Sequence, residues 1–175
     1  CKALKKIEIS DSVTEIKKHA FDGCNELNEL EIPSSVVKLE SYSFHECNNL
    51  EEISIPHSIN VIESFCFACC HNLKRVTIPS SVTKICSFAF NECTSIEQIL
   101  IPSSVNKIEA NAFCCCSSLK EISISNSIKE IESYTFADCC SLTKVIIPSS
   151  VTLIGDYAFY CCSLLNEITV PNSVV

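Results

Sequence analysis

The segment Ile78 to Leu100, IPSSVTKICSFAFNECTSIEQIL, lands on a near copy of itself when the chain is shifted by 23 residues in either direction. Forwards it meets IPSSVNKIEANAFCCCSSLKEIS, and backwards IPHSINVIESFCFACCHNLKRVT. A fixed period in the twenties is the sequence mark of a solenoid, in which each unit buries its apolar side only against its neighbours. Seven full copies start at Ile9, Ile32, Ile55, Ile78, Ile101, Ile124 and Ile147, with no insertion or deletion among them. Residues 1–8 are the tail of a preceding copy, and Val170 to Val175 open another. The chain therefore reads as one repeat domain, 1–175, cut from a longer protein, with partial repeats at both ends.

Numbering each copy from its first residue exposes the core. Position 1 is Ile in every full copy, position 13 is always Phe (Phe21 to Phe159) and position 16 is always Cys. Positions 5, 8, 19 and 22 are Val, Ile or Leu throughout. Leu73-x-x-Val76-x-Ile78 alternates with period 2 at its end and reads as a short strand, which Pro79 stops by withholding a backbone donor. Val82-x-x-Ile85 is β-branched and short, and predicts a second strand on another side of the coil. The three-residue spacing of Phe90 and Cys93, with the small Ala89 alongside, predicts one turn of α or 3₁₀ helix. Successive strands then stack in parallel at about 4.8 Å.

The pattern L-x-x-I-x-I-P-x-S-V-x-x-I-x-x-x-A-F-x-x-C resembles the BspA-type leucine-rich repeat of bacterial and trichomonad surface proteins, over the whole chain. The resemblance implies an α/β solenoid: a right-handed leucine-rich-repeat coil with parallel β-strands on one side and short helical turns on the other. It also implies a surface-exposed or secreted module that binds host or matrix proteins, and no catalytic residues. The chain departs from the family at the glycine after position 8, which only Gly155 keeps; Lys17, Glu40, Glu63, Cys86, Glu109 and Glu132 replace it. A positive φ is therefore not required there. The first and sixth copies also lose the proline, to Ser10 and Ser125.

The 15 cysteines allow several readings. Eight form the position-16 series from Cys1 to Cys162. Parallel Cβ vectors one strand spacing apart do not suit a disulfide, so these are expected to be buried thiols filling a column. Cys66, Cys69, Cys86, Cys114, Cys115, Cys140 and Cys161 are scattered. Cys69-Cys70-His71, Cys114-Cys115-Cys116, Cys139-Cys140 and Cys161-Cys162 fall on one edge. Adjacent cysteines on short turns are expected to point apart, however, and the spacing is wrong for a closed tetrahedral zinc site. Repeat drift explains them, and neither a metal nor any other cofactor is expected. His19, His45, His57 and His71 sit at four different repeat positions; His71 beside Cys69 is the one local Cys–His candidate, with no third group to orient it. The position-9 glutamates, beside lysines at position 7, read as a solvated face.

The net charge of −8, without a Lys/Arg cluster, argues against nucleic acid or an anionic membrane as partner. No apolar run approaches the ~20 residues of a membrane helix. No signal peptide is visible at Cys1, and neither Cys1 nor Val175 lies at a polar cap, so end-to-end self-association or fraying is expected.

Within the strand, positions 21 and 23 must point outwards. Position 21 reads Lys6, Glu29, Glu52, Arg75, Gln98, Glu121, Lys144 and Glu167; position 23 reads Glu8, Glu31, Ser54, Thr77, Leu100, Ser123, Ile146 and Thr169. Glu8, Glu29, Glu31 and Glu52 make the first half acidic, while Leu100 and Ile146 place bulky apolar groups on the second. Exposed apolar residues ringed by polar ones mark interaction sites. This face is expected to dock a protein, with a basic patch of the partner against the acidic end. The competing expectation is a structural spacer in a larger surface or intracellular protein, with a solvated sheet and no ligand; an enzyme is a distant third reading, because no catalytic constellation recurs.

Alkylation in denaturant followed by mass spectrometry should recover every position-16 cysteine as a free thiol. Regular linkages such as Cys24–Cys47 or Cys70–Cys93 would show that the stacking geometry is wrong.

Overall fold

The structure, a computed structural model, describes residues 1–174; Val175 and the expectation placed on it lie outside them. Each coil carries two strands. The longer set, three residues each at positions 21–23, is β1 (Lys6–Glu8), β3 (Glu29–Glu31), β5 (Glu52–Ser54), β7 (Arg75–Thr77), β9 (Gln98–Leu100), β11 (Glu121–Ser123), β13 (Lys144–Ile146) and β15 (Glu167–Thr169). The shorter set, two residues each at positions 7–8, is β2 (Glu15–Ile16), β4 (Lys38–Leu39), β6 (Val61–Ile62), β8 (Lys84–Ile85), β10 (Lys107–Ile108), β12 (Glu130–Ile131) and β14 (Leu153–Ile154). All pairing is parallel and shifted by one repeat, so Ile122 lies between Ile99 and Val145.

Neither strand ladder is continuous. The longer strands pair as β1–β3, β5–β7 and β9–β11–β13–β15, and the shorter as β2–β4, β6–β8–β10 and β12–β14. The breaks alternate: between any two successive full coils, at least one of the two ladders is paired.

The expected helical turn is not formed, and no helix occurs among the described residues. The segment from position 9 to position 16 instead divides its amides between two coils. Phe88, Phe90 and Glu92 donate N–H to the carbonyls of Ala110, Ala112 and Cys114 on the next coil, at 3.3, 2.9 and 2.9 Å. The residues between them bond within the coil: Ala89 to Cys86, Asn91 to Phe88 and Cys93 to Phe90, each 3.2 Å. Phe90 and Cys93 are three apart because Phe90 accepts from Cys93 in a tight turn, a spacing that a helical turn shares. This alternation needs two left-handed residues per coil. Position 11 (His19, Tyr42, Phe65, Phe88, Asn111, Tyr134, Tyr157) and position 15 (Gly23, Glu46, Cys69, Glu92, Cys115, Asp138, Cys161) all have φ between 54° and 66°. Position 9 is not among them, as the loss of its glycine implied.

Beside the aliphatic columns of positions 1, 5, 8, 19 and 22, the core holds two adjoining columns of another kind. The seven position-13 rings stack from Phe21 to Phe159 with centroids 5.3–5.8 Å apart. Beside them the position-16 thiols do more than fill space. Cys70, Cys93, Cys116 and Cys139 each donate S–H to the carbonyl of the phenylalanine one coil back, at 3.1–3.3 Å. Burial pushes Cys47 up to about 12, keeping the thiol protonated and able to donate. A third column, the position-4 serines, closes the turn after position 1: Ser58, Ser81 and Ser104 donate Oγ–H to Val36, Ile59 and Val82 carbonyls at 2.5–2.7 Å.

Phe90 is fully buried between Phe67 and Phe113. Phe90→Ala should therefore cost about 3–5 kcal/mol in equilibrium denaturation, through lost burial and the cavity left behind. A loss under about 1 kcal/mol, the size of an ordinary surface change, would contradict the stacked core.

Candidate binding face

The outward positions of the longer strands form one surface, because parallel in-register pairing brings each into line with its equivalent. Glu8, Glu29, Glu31, Glu52, Arg75, Gln98, Leu100, Glu121, Lys144 and Ile146 are all exposed on it, while the central residue of each strand from β9 to β13 is buried. Leu100 is 75% exposed and Ile146 60%, on either side of Ser123. The small serine leaves a shallow apolar depression of about 400 Å³ between them, floored by Ile99 and Ile122 and edged by Gln98, Glu121 and Lys144.

The charges are also set by register. Lys6 lies 3.3 Å from Glu29 across the strand pair and 3.7 Å from Glu8, Glu52 pairs with Arg75, and Lys144 with Glu167 at 2.8 Å. Within the acidic half, Glu31 has no such partner among the described residues. These groups are about half exposed or more, so their pairing stabilises little and leaves the glutamates free to exchange partners.

The position-9 glutamates are more than a solvated face. Glu40, Glu109 and Glu132 reach back one coil and accept from the position-10 N–H groups of Lys18, Ser87 and Ala110 at 2.9–3.1 Å. Lys17, Lys84 and Lys107 pair with the same carboxylates at 3.2, 2.7 and 3.3 Å. Burial opposes ionisation of Glu109, but Lys84 and the Ser87 amide outweigh it and hold the carboxyl below its usual range.

On the opposite edge, position 11 lies outside the apolar pattern of the repeat, yet its side chains stack. His19, Tyr42, Phe65 and Phe88 follow one another at 4.5–4.7 Å, Asn111 interrupts, and Tyr134 and Tyr157 resume at 5.0 Å. Such stacking offsets part of the cost of holding bulky residues at positive φ. The signal was in the sequence, as five aromatics and a histidine at one repeat offset.

The histidines do not build a catalytic site. His71 turns its Nδ1 to the Glu92 carbonyl at 3.0 Å, and burial pushes the nearby Cys69 thiol up to about 11, away from the thiolate a nucleophile needs. His19 and His45, from different coils and different repeat positions, converge on Asp22 at 2.7 and 2.8 Å. The expectation that adjacent cysteines point apart fails at Cys114 and Cys115, whose Sγ atoms are 3.6 Å apart. All 15 cysteines are free thiols. No described helix is long and apolar enough to cross a membrane.

A parallel solenoid with a fixed core and a variable strand face is a repeat scaffold. The BspA type leucine rich repeat region matches residues 1–114 and 83–175, in six copies, and the chain belongs to that family. No curated protein matches it. Among solved structures, it is similar to a leucine-rich repeat protein from Bacteroides ovatus (31% identity, TM-score 0.91), covering 99% of this chain and 47% of that one. It is also similar to the T. pallidum leucine rich repeat protein TpLRR (33%, 0.76), covering 78% of this chain and 64% of that one. A leucine-rich repeat protein from Eubacterium ventriosum shares the fold at 24% identity and TM-score 0.86, over 98% of this chain and 45% of its own. The chain thus spans half to two thirds of the first two.

The Asp22 cluster gives a pH signature. Burial opposes its ionisation, but hydrogen bonds from His45 and His19 outweigh this and hold the carboxyl below its ordinary 3.8. A depressed carboxyl contributes stability that is complete above the unfolded value and lost as pH falls through the folded one. Asp22→Asn should thus cost up to about 1 kcal/mol near neutrality and progressively less as the solution is acidified below about pH 4. Chemical denaturation across that range checks this; a difference independent of pH would contradict it.

Proposed function

We propose that this chain is a non-enzymatic protein-binding scaffold, whose partner docks on the strand face with its apolar contact at Leu100 and Ile146. The observation that carries the reading is the pair of aliphatic side chains, 75% and 60% exposed, on a face whose neighbouring outward positions are polar. Burying them against a partner removes apolar area from water at about 25 cal/mol per Å². Glu8, Glu29, Glu31 and Glu52 offer a basic patch of the partner an acidic contact further along. Such charges act on encounter rate and specificity more than on affinity. Membership of the BspA-type family supports a surface-exposed or secreted location and an adhesive role, with a host or extracellular-matrix protein as the partner class.

Leu100→Asp combined with Ile146→Asp should abolish capture from a panel of purified extracellular proteins, with circular dichroism and the unfolding midpoint unchanged, because neither side chain enters the core. Retained binding by the double variant moves the contact to another face. A wild-type chain that captures nothing from the panel supports the spacer role.

A further inference from the structure

We propose that Cys114, Cys115 and Asp138 form a binding site for a thiophilic divalent cation, zinc(II) in the first instance, on the edge opposite the strand face. Their ligand atoms all lie within 4.8 Å of one another. The three come from positions 14 and 15 of one coil and position 15 of the next. Cys115 is held at φ 60°, which breaks the alternation that would send adjacent side chains to opposite sides. Its amide is fixed to the next coil by a 2.8 Å hydrogen bond to the Ala137 carbonyl, immediately before Asp138. The backbone thus sets both the convergence of the two thiols and their distance from the carboxylate.

The geometry fits the ion. Two thiolates at about 2.3 Å from one zinc, spread at the tetrahedral angle, are about 3.8 Å apart. The Cys114 and Cys115 sulfurs stand at 3.6 Å, and a disulfide would need about 2.05 Å. With the Asp138 carboxylate as third ligand, the fourth tetrahedral position falls to water. Two sulfurs select a soft or borderline cation over calcium or magnesium. All three residues are half-buried, so the site is reachable from solvent without unfolding.

Asp138 brings a carboxylate to the two sulfurs, and a dication that binds them as thiolates displaces their protons. The position-16 thiols do not compete, being buried and committed to phenylalanine carbonyls.

Cobalt(II) titration of the reduced chain provides the test. One equivalent should produce the sulfur-to-cobalt charge-transfer band and tetrahedral d–d bands, and zinc(II) should displace it. Since about two protons leave, the apparent affinity should rise roughly a hundredfold per pH unit below the thiol values. Cys114→Ser with Cys115→Ser should remove the band, and Asp138→Asn should weaken binding at least about tenfold, the lower end for loss of even an outer-shell group. Cys140→Ser with Cys161→Ser, removing the two nearby exposed thiols, should change nothing. No band on the wild type, a band that survives the first pair, or one that disappears with the second, overturns the assignment. Circular dichroism of each variant separates loss of ligands from loss of fold, and the wild-type titration decides the question even if a variant does not fold.

Discussion

The hydrogen bond from the position-13 amide to the position-12 carbonyl of the next coil is the contact on which the solenoid depends. It is present at all six junctions between full coils, from Phe21–Ser43 to Phe136–Ala158, at 2.9–3.0 Å. The two strand ladders each lapse at two of those junctions, and the turn ladder does not. It also fixes the height of each phenylalanine relative to the next, and so the ring spacing. The thiol of position 16 then satisfies the carbonyl that this phenylalanine presents inside the coil stack. Backbone register, aromatic stacking and cysteine column are three views of one geometry.

That geometry has a conformational cost concentrated at positions 11 and 15. Thirteen of the fourteen left-handed residues there are not glycine. A single such residue in a turn is tolerable; two in every coil amount to a systematic strain. The ladder over-determines these positions through amides bonded on both sides, and at position 11 the stacked rings return part of the energy. The edge that bears this strain also carries the His19–Asp22–His45 cluster and the Cys114–Cys115–Asp138 cluster. Sharp turns with positive φ gather side chains from neighbouring coils that an extended strand would separate. The strand face works in the opposite way: it displays side chains in parallel rows and brings few together.

Much of this was legible in the residues. The core columns followed from period alone, since Phe, Cys and Ile recur at fixed offsets. The outward positions of Leu100 and Ile146 followed from alternation about Ile99 and Val145. The helical turn did not follow. A Phe90–Cys93 spacing of three fits a helix and a chain of tight turns equally, and only the destination of the intervening amides separates them. The spacing of residues in one coil says nothing of an acceptor on another. For the same reason the position-9 glutamates read as solvated, although their acceptor role lies one coil back. The thiol pair was misjudged because its direction depends on the φ of Cys115, which no side chain reports.

Because the same turn bond, from position 13 to position 12, joins every pair of successive full coils, one such join can stand in for another. Unequal crossing-over within the coding sequence that gains or loses a whole unit leaves the turn ladder and the phenylalanine and cysteine columns in register. One that gains any other number of residues sets position 13 against the wrong carbonyl. The reach of the molecule is thus a quantity that recombination can alter in steps of one coil, while point changes at the outward positions alter what it meets.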